Sequence, residues 1–223
     1  GRVHSVISFD GGLTHVCNKA VGSSRYEIRA TTQGGHSFGC FGNRNAIEVL
    51  AGLITELYAV KPPQKAGTKT TYNVGLIQRG TSVNTIAQSA SMLYEIRSDD
   101  RECLEQMERS LRQILAKRKS ADAKVELQLL GQRPCMGEVD KQRQQELEQF
   151  HFDLLEKYVG QRPKTGSGST DCNIPFSMGI PSLCYGMYNG QGAHTLEESL
   201  DIASLATGMH VCLAAVLDCF VDE

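Results

Sequence analysis

The sequence of 223 residues predicts an α/β protein with a β-α-β-β-α-β unit in its middle. Apolar residues alternate with polar ones at 25–33, 90–97 and 124–130, which is the period of half-buried strands. Apolar residues at helical spacing fill two of the gaps between strands, and 70–78 reads as a further strand. This order predicts a split βαβ sandwich, in which two helices cover one face of a sheet.

Glycine, proline and asparagine residues mark the ends of the first predicted strands and helix. A first strand, Val3 to Phe9, ends at the turn-forming run Asp10-Gly11-Gly12. The strand 25–33 ends at Gly34-Gly35. Either Asn43 or Asn45 can cap the first helix, which Pro62-Pro63 closes. The apolar stripe predicted for this helix is Ile47, Leu50, Ile54, Leu57 and Tyr58.

The second half of the unit repeats the pattern. The strand at 90–97 should point Met92, Tyr94 and Ile96 inward. A helix should begin after Asp99, with Glu102 as its capping-box partner. Its predicted stripe is Leu104, Met107, Leu111, Ile114 and Leu115.

The remainder predicts an incomplete α/β domain around this unit. It contains an amphipathic helix from Asp140 to Tyr158, a Gly/Ser-rich loop at 165–171 and a short helix ended by Gly179. A strand at 181–185, a glycine-rich loop at 190–192 and a final helix from Leu200 to Phe220 follow. The predicted division is 1–21 and 134–223 for the incomplete domain, and 22–133 for the inserted one.

Composition narrows the function classes. The formal net charge of -2 gives no basic face for nucleic acid. No apolar run has the roughly 20 residues that a membrane span needs, and the first residues lack the order of a signal peptide, so we expect a cytoplasmic protein. The eight cysteines contain no C-x-x-C pair and are interpreted as reduced core residues.

Two residues could contribute to a metal site. His194 lies in a glycine-rich loop, where imidazole can serve as a metal ligand or general base, or simply face solvent. Asp10 follows a strand, at the end from which α/β sheets present groups to ligands, although it could also be only a turn residue. One nitrogen and one carboxylate are half of a typical catalytic zinc site.

Other residues could bind a substrate. His36 follows two glycines and could donate to a developing oxyanion, or be an ordinary loop histidine. Arg97 offers a planar fork for a carboxylate, with the Asn84 amide near it in sequence. The backbone amides of the 166–170 loop could bind an anion, but the loop lacks the lysine of a phosphate loop.

Two apparent ligand pairs fail on geometry. His151 and Asp153 spell an H-x-D pair, but two residues apart on a helix they point roughly 200° from each other. Glu197 and Glu198 are interpreted as acids that open the last helix, where they favour the positive end of its dipole.

Short motifs in a fixed order resemble those of one family of zinc peptidases and amidohydrolases, which includes aminoacylase, carboxypeptidase G, acetylornithine deacetylase and peptidase T. They run through essentially the whole chain. They are Gly34-Gly35-His36-Ser37, Asn45-Ala46-Ile47, Asn73-Val74-Gly75, Thr81-Ser82-Val83-Asn84, Arg97, Gly168-Ser169-Thr170-Asp171, Gly179-Ile180-Pro181 and Gly192-Ala193-His194-Thr195.

The resemblance implies a ferredoxin-like lid inserted in a zinc-binding catalytic domain, with lids that pair into homodimers. It implies that Asp10 and His194 each bind one of two zinc ions, with cobalt or manganese as alternatives. It further implies that His36 reaches a neighbouring subunit's site to stabilise the tetrahedral intermediate. Asn84, Arg97 and the turn Gly168-Ser169-Thr170 would hold the carboxylate end of a small peptide or N-acyl amino acid.

The family's H-x-D pair, bridging aspartate and Glu-Glu pair have no counterpart in this sequence. The sequence therefore predicts the C-terminal portion of a metal-dependent amide hydrolase that is inactive by itself. The alternative is a non-catalytic module that uses the β-α-β-β-α-β unit for dimerisation or partner binding. An RNA-binding domain is disfavoured, because Tyr26, Tyr72 and Tyr94 lack the accompanying basic residues.

Overall fold

A computed structural model describes residues 3–118, 120–193 and 195–220 of the chain. Its strands are β1 (Val6–Phe9), β2 (His15–Ala20), β3 (Gly22–Thr32), β4 (Gly35–His36), β5 (Thr70–Gln78), β6 (Thr85–Ile86), β7 (Ser89–Ser98), β8 (Ala123–Arg133), β9 (Lys164–Gly168), β10 (Ser182–Tyr185), β11 (Asn189–Gln191) and β12 (Ser199–Asp201). Its helices are α1 (Ala46–Ala59), α2 (Arg101–Lys117), α3 (Lys141–Val159), α4 (Asn173–Ser177) and α5 (Ser204–Asp218).

The chain forms two compact units, and its fold is α/β as the sequence predicts. Gly22–Arg133 make up one unit, called here the insert unit. Gly1–Val21 and Pro134–Glu223 make up the other, called the flanking unit.

The insert unit is an antiparallel sheet in the order β5-β7-β3-β8, with α1 and α2 packed on one face. The alternation predicted for β7 is confirmed, since Met92, Tyr94 and Ile96 are buried. Side chains of both helices complete this core. They include Leu50, Leu53, Leu57, Met107 and Leu111.

The helix ends of the insert unit depend on single side chains. The Asn45 side chain accepts the Ile47 amide at 2.9 Å and begins α1. Asp100, not Asp99, caps α2 through the Cys103 amide at 3.0 Å. Asp99 instead accepts the Lys69 amide at 2.7 Å and so anchors the start of β5.

The stripe predicted for α1 is partly wrong. Val49 and Leu53 are buried, whereas Ile47 and Tyr58 are 38% and 50% exposed. Because α1 is apolar on nearly all sides, its periodicity cannot by itself decide which side faces the core.

The flanking unit has a mixed sheet in the order β1-β10-β2-β9. Strand β1 runs parallel to β10, and β2 runs parallel to β9. Helices α3 and α5 contact each other. Its main core cluster is formed by Leu13, Val16, Phe152, Leu155, Leu183, Tyr185 and Val211.

Several predictions for the flanking unit are wrong. The Gly/Ser-rich segment predicted as a loop contains β9, which pairs with β2 although it has no apolar side chain. The final helix begins at Ser204 rather than Leu200, because Leu200 pairs with Gly190 in the β11–β12 hairpin. Glu197 and Glu198 therefore precede β12 and do not open the helix.

All eight cysteines are free, and six of them are buried, which agrees with the prediction of core residues for those six but not for Cys40 and Cys219. No helix within the described residues has both the length and the apolar character needed to cross a membrane.

Candidate functional site

His36 lies in a tight loop of the insert unit that fixes its ring. Gly34 and Gly35 precede it with φ angles of 65° and 134°. A Cβ on Gly35 would lie 2.7 Å from the Cys40 Cβ, so the loop closes too tightly for a side chain there. The Phe38 and Gly39 amides both donate to the His36 Nδ1 at 3.3 Å.

These two hydrogen bonds decide the tautomer of His36. A backbone amide can only donate, so Nδ1 must carry a lone pair and the ring proton must lie on Nε2. The exposed side of the ring is therefore a hydrogen-bond donor.

Asn84 lies beside this loop. His36 is the register partner of Thr85 in the β4–β6 pair, and the Ser37 amide donates to the Asn84 carbonyl at 2.9 Å. Ser82 donates to the Asn84 Oδ1 at 2.7 Å and orients the side-chain amide. The structure thus brings together two site residues that are 48 positions apart in sequence.

Arg97 lies at the opposite end of the sheet. Strand β7 begins at Ser89, near the β4–β6 pair, and reaches Arg97 eight residues later. Eight extended residues span about 26 Å. Arg97 and Asn84 are close in sequence but are not neighbours in the fold.

The Arg97 guanidinium is only loosely paired. Its Nε lies 3.9 Å from the Glu95 Oε1, which accepts a shorter hydrogen bond from the Arg25 Nε at 2.8 Å. Within the described residues the buried Arg97 Nε has no hydrogen-bond partner. The guanidinium therefore retains capacity to bind a carboxylate.

Asp10 lies in the flanking unit, directly after β1, at the end where its prediction placed it. Its amide donates to the Tyr185 carbonyl at 2.9 Å, and its side chain is exposed. His194 lies outside the described residues. Among those that are described, no group of three potential ligands could hold a metal ion, so they do not by themselves make a zinc centre.

The turn predicted to bind substrate has local roles. The Gly168 carbonyl accepts the Val21 amide at 2.7 Å. The Thr170 amide donates to the Asn173 side chain at 2.8 Å, and the Thr170 hydroxyl accepts the Cys172 amide. Ser169 lies between Gly168 and Thr170. The contacts of Thr170 with Cys172 and Asn173 join this turn to the start of α4, and the Thr170 amide is therefore already hydrogen-bonded.

The H-x-D pair on α3 is not a metal site. His151 is buried and Asp153 is exposed, as the helical geometry predicts. His151 shares a hydrogen bond with the Tyr185 hydroxyl at 2.9 Å, while Asp153 accepts from Arg162 at 3.1 Å. Burial lowers the pKa of His151 to about 4.

Sequence reasoning missed two aromatic residues next to His36. Phe38 and Phe41 are 89% and 92% exposed on the loop that holds the His36 ring. The motif Ser37-Phe38-Gly39-Cys40-Phe41 between a strand and a helix was the available signal, since large apolar side chains in such a loop have no core to fill.

We compared the chain with models of protein families, with curated protein sequences and with solved structures. Residues 18–123, a little under half of the chain, match the family model of the peptidase dimerisation domain. No curated protein sequence matches the chain.

Three solved structures have the same fold. Aminopeptidase PepT of Bacillus cereus is 20% identical, with a TM-score of 0.68, over 94% of this chain and 55% of its own. A tripeptidase of Staphylococcus aureus is 19% identical, with a TM-score of 0.71, over 96% and 57%. An amidase of the hydantoinase/carbamoylase family from Burkholderia vietnamiensis is 16% identical, with a TM-score of 0.71, over 97% and 55%.

The chain thus spans about half the length of these structures while almost all of it is matched. At these identities the structural likeness establishes the fold alone. Together with the family match, it confirms the resemblance found in the sequence. Over residues 18–123 the chain is similar to the peptidase dimerisation domain, and the whole chain has the fold of the matched parts of these structures.

Proposed function

We propose that this chain is the C-terminal portion of a metal-dependent hydrolase of amide or peptide bonds, inactive by itself, that pairs with a second copy through the insert unit. The observation that carries this proposal is the peptidase dimerisation domain at 18–123, which includes the fixed His36 ring. The matched structures are an aminopeptidase, a tripeptidase and an amidase, which supports small peptides or N-acyl amino acids as the substrate class.

His36 is the proposed catalytic donor. Its Nε2–H is directed away from the two amides that hold Nδ1, so it can donate to the oxygen of a carbonyl that develops negative charge. A donor that is already oriented needs no reorganisation during the reaction. Asn84, which directly precedes β6 and accepts the Ser37 amide through its backbone carbonyl, supplies a second polar side chain beside this loop.

We propose that Arg97 binds the substrate carboxylate. Its distance from His36 decides whether the two residues can contact the same substrate molecule. A dipeptide is much shorter than the roughly 26 Å that β7 spans. We therefore propose that Asn84 acts with His36, while Arg97 contacts a substrate in a different site. A homodimer provides two such sites.

The metal is proposed for the assembled protein. Asp10 and His194 would each provide one ligand to zinc, or to cobalt or manganese, and the other ligands and the general base would come from outside this chain. Gly168, Ser169 and Thr170 stay proposed substrate contacts through groups other than the Thr170 amide, which Asn173 occupies.

Activity measurements on two forms of the protein test this function. We expect no zinc-dependent hydrolysis of tripeptides or N-acetyl amino acids by these 223 residues, and turnover once the coding sequence upstream of Gly1 is included. In the extended form, His36→Ala should lower kcat by about 10² to 10³. Exposed His210, on α5, provides a matched control. Turnover by the present chain would overturn the proposal of inactivity.

A non-catalytic dimerisation or partner-binding module is the second candidate function. It is favoured by the position of the family match, which covers the insert unit rather than the candidate metal ligands. The intact mass of the protein from its source cell separates the two. A product much heavier than the present chain supports the hydrolase, whereas a product of this length supports the module.

A further inference from the structure

Three large apolar side chains are exposed around the loop that holds the His36 ring. Phe38 and Phe41 are 89% and 92% exposed, and Val83, the residue before Asn84, is fully exposed. None of the three contributes to the core of the insert unit. Apolar side chains that are grouped on a surface mark a place where a protein binds an apolar ligand or partner.

Backbone hydrogen bonds group these three side chains. The Phe41 amide donates to the Phe38 carbonyl at 3.4 Å. In a turn closed across three residues, the first and the last side chain lie on the same side. His36 is opposite Thr85 in the β4–β6 pair, and continuing this antiparallel register brings Phe38 beside Val83.

The loop that carries the two phenylalanines is held by its own hydrogen bonds. The Cys40 amide donates to the His36 carbonyl at 2.9 Å, and the Asn43 side chain donates to the Gly34 carbonyl at 2.6 Å. A preformed loop loses less conformational freedom when it binds a ligand. The two aromatic side chains are therefore attached at fixed positions relative to the imidazole.

The same loop carries no formal charge apart from its histidine. Residues 30–43 contain no lysine, arginine, aspartate or glutamate. The next charged side chain, Arg44, is paired with Glu48 at 3.1 Å. A charged ligand group would lose its hydration at this surface without gaining a partner, whereas an apolar group gains by leaving water.

We propose that Phe38, Phe41 and Val83 bind the apolar group on the acyl side of the substrate, and so select aromatic or other large apolar acyl groups over small ones. The inference rests on the hydrolase function proposed above and names the substrate class that this site prefers. The three residues are called here the apolar acyl surface.

The position of the His36 donor favours the acyl side. The substrate carbonyl oxygen would accept the Nε2–H, and the acyl substituent is bonded directly to the carbon of that carbonyl. Nε2 and Nδ1 are separated by a single ring carbon, and the Phe38 amide donates to Nδ1 at 3.3 Å. A phenylalanine side chain is longer than that separation, so the acyl substituent comes within its reach.

Selectivity between acyl groups tests the apolar acyl surface. The form extended upstream of Gly1 is assayed with two substrate pairs that differ only in the acyl group: Phe-Gly-Gly with Ala-Gly-Gly, and N-benzoylglycine with N-acetylglycine. The readout is the ratio of kcat/KM within each pair. Phe38→Ala, Phe41→Ala and Val83→Ala each remove one side chain. Phe220, which is 80% exposed in the flanking unit, supplies the matched control Phe220→Ala.

We expect the parent to prefer the aromatic member of each pair that it hydrolyses, and this ratio to fall at least about tenfold in F38A and in F41A. V83A should lower the ratio less, because fewer carbon atoms are removed, and F220A should keep it. Circular dichroism shows whether each variant is folded.

Two other results separate this inference from the function on which it rests. A variant that merely displaces His36 lowers kcat/KM for both members of a pair equally. Equal losses, or a parent without preference for aromatic acyl groups, would overturn the apolar acyl surface and keep the hydrolase function. Absence of turnover with all four substrates would contradict the hydrolase function, and this inference with it.

Discussion

The Nδ1 of the His151 imidazole lies 2.9 Å from the hydroxyl oxygen of Tyr185 in the core of the flanking unit. His151 comes from α3 and Tyr185 from β10, so the hydrogen bond joins a helix to the sheet. The Tyr185 ring also packs edge to face against Phe9, with centroids 5.4 Å apart. The polar pair is thus enclosed by apolar side chains, and charge on the ring is disfavoured.

We predict from this pair that acid destabilises the flanking unit before its carboxylates protonate. Burial lowers the pKa of His151 to about 4, whereas the unfolded chain titrates near 6.5. Between these values the unfolded state binds more protons, so stability is full above pH 6.5 and is lost as the pH falls toward 4. From pH 7 to pH 5 the free energy of unfolding should fall by about 2 kcal/mol.

Urea unfolding at a series of pH values measures this change. The double variant His151→Leu/Tyr185→Phe removes both polar partners, and its stability should vary much less over the same range. His210, which is exposed on α5, provides the control: His210→Gln should keep the full pH dependence. A parent chain with equal stability at pH 7 and pH 5 would contradict the prediction.

The cap of α2 gives a second prediction. Burial opposes ionisation of Asp100, but hydrogen bonds from Lys65 and the Cys103 amide outweigh it and lower its pKa to about 2. Asp100→Ala should lower the free energy of unfolding by about 1 kcal/mol, since the Cys103 amide loses its acceptor. Asp100→Asn keeps an acceptor oxygen and should lose less. Equal losses for the two variants, by urea unfolding at pH 7, would show that the ion pair matters more than the cap.

The parts of the fold that sequence predicts well are those determined by neighbouring residues. Asn45 and Asp140 cap α1 and α3 where an N-cap residue should stand. The alternation of Met92 and Tyr94 fixes which face of β7 is buried.

Pairing between segments that are distant in sequence is harder to predict from the sequence. Strand β9 has the sequence KTGSG, which predicts a loop, and becomes a strand because β2 lies beside it. The candidate site shows the same limit. Asn84 and Arg97 are near in sequence, but the extended β7 carries Arg97 away, while the β4–β6 pair brings Asn84 to His36.

A third prediction concerns the glycine in the middle of α5. Alanine in place of a helical glycine usually stabilises by about 1 kcal/mol. A Cβ on Gly208, however, would lie 1.6 Å from the Met187 carbonyl oxygen. Gly208→Ala should therefore destabilise the flanking unit, or prevent its folding, because backbone cannot move aside easily.

Gly52 in α1 is the matched control for Gly208. A Cβ there would lie 3.2 Å from the Arg118 guanidinium, the end of a flexible side chain that can shift. Gly52→Ala should leave the melting temperature unchanged or raise it. A melting temperature for Gly208→Ala at or above that of the parent chain would refute the close approach of α5 to Met187.

The last prediction tests the orientation of the His36 ring without any assay of activity. Because the Phe38 and Gly39 amides donate to Nδ1, the neutral His36 ring should carry its proton on Nε2. Long-range ¹⁵N–¹H NMR of the histidine rings distinguishes the two tautomers. His4, an exposed residue, serves as the reference within the same spectrum. A His36 ring with its proton mainly on Nδ1 would remove the donor from the proposed carbonyl contact, since Nε2 would then only accept.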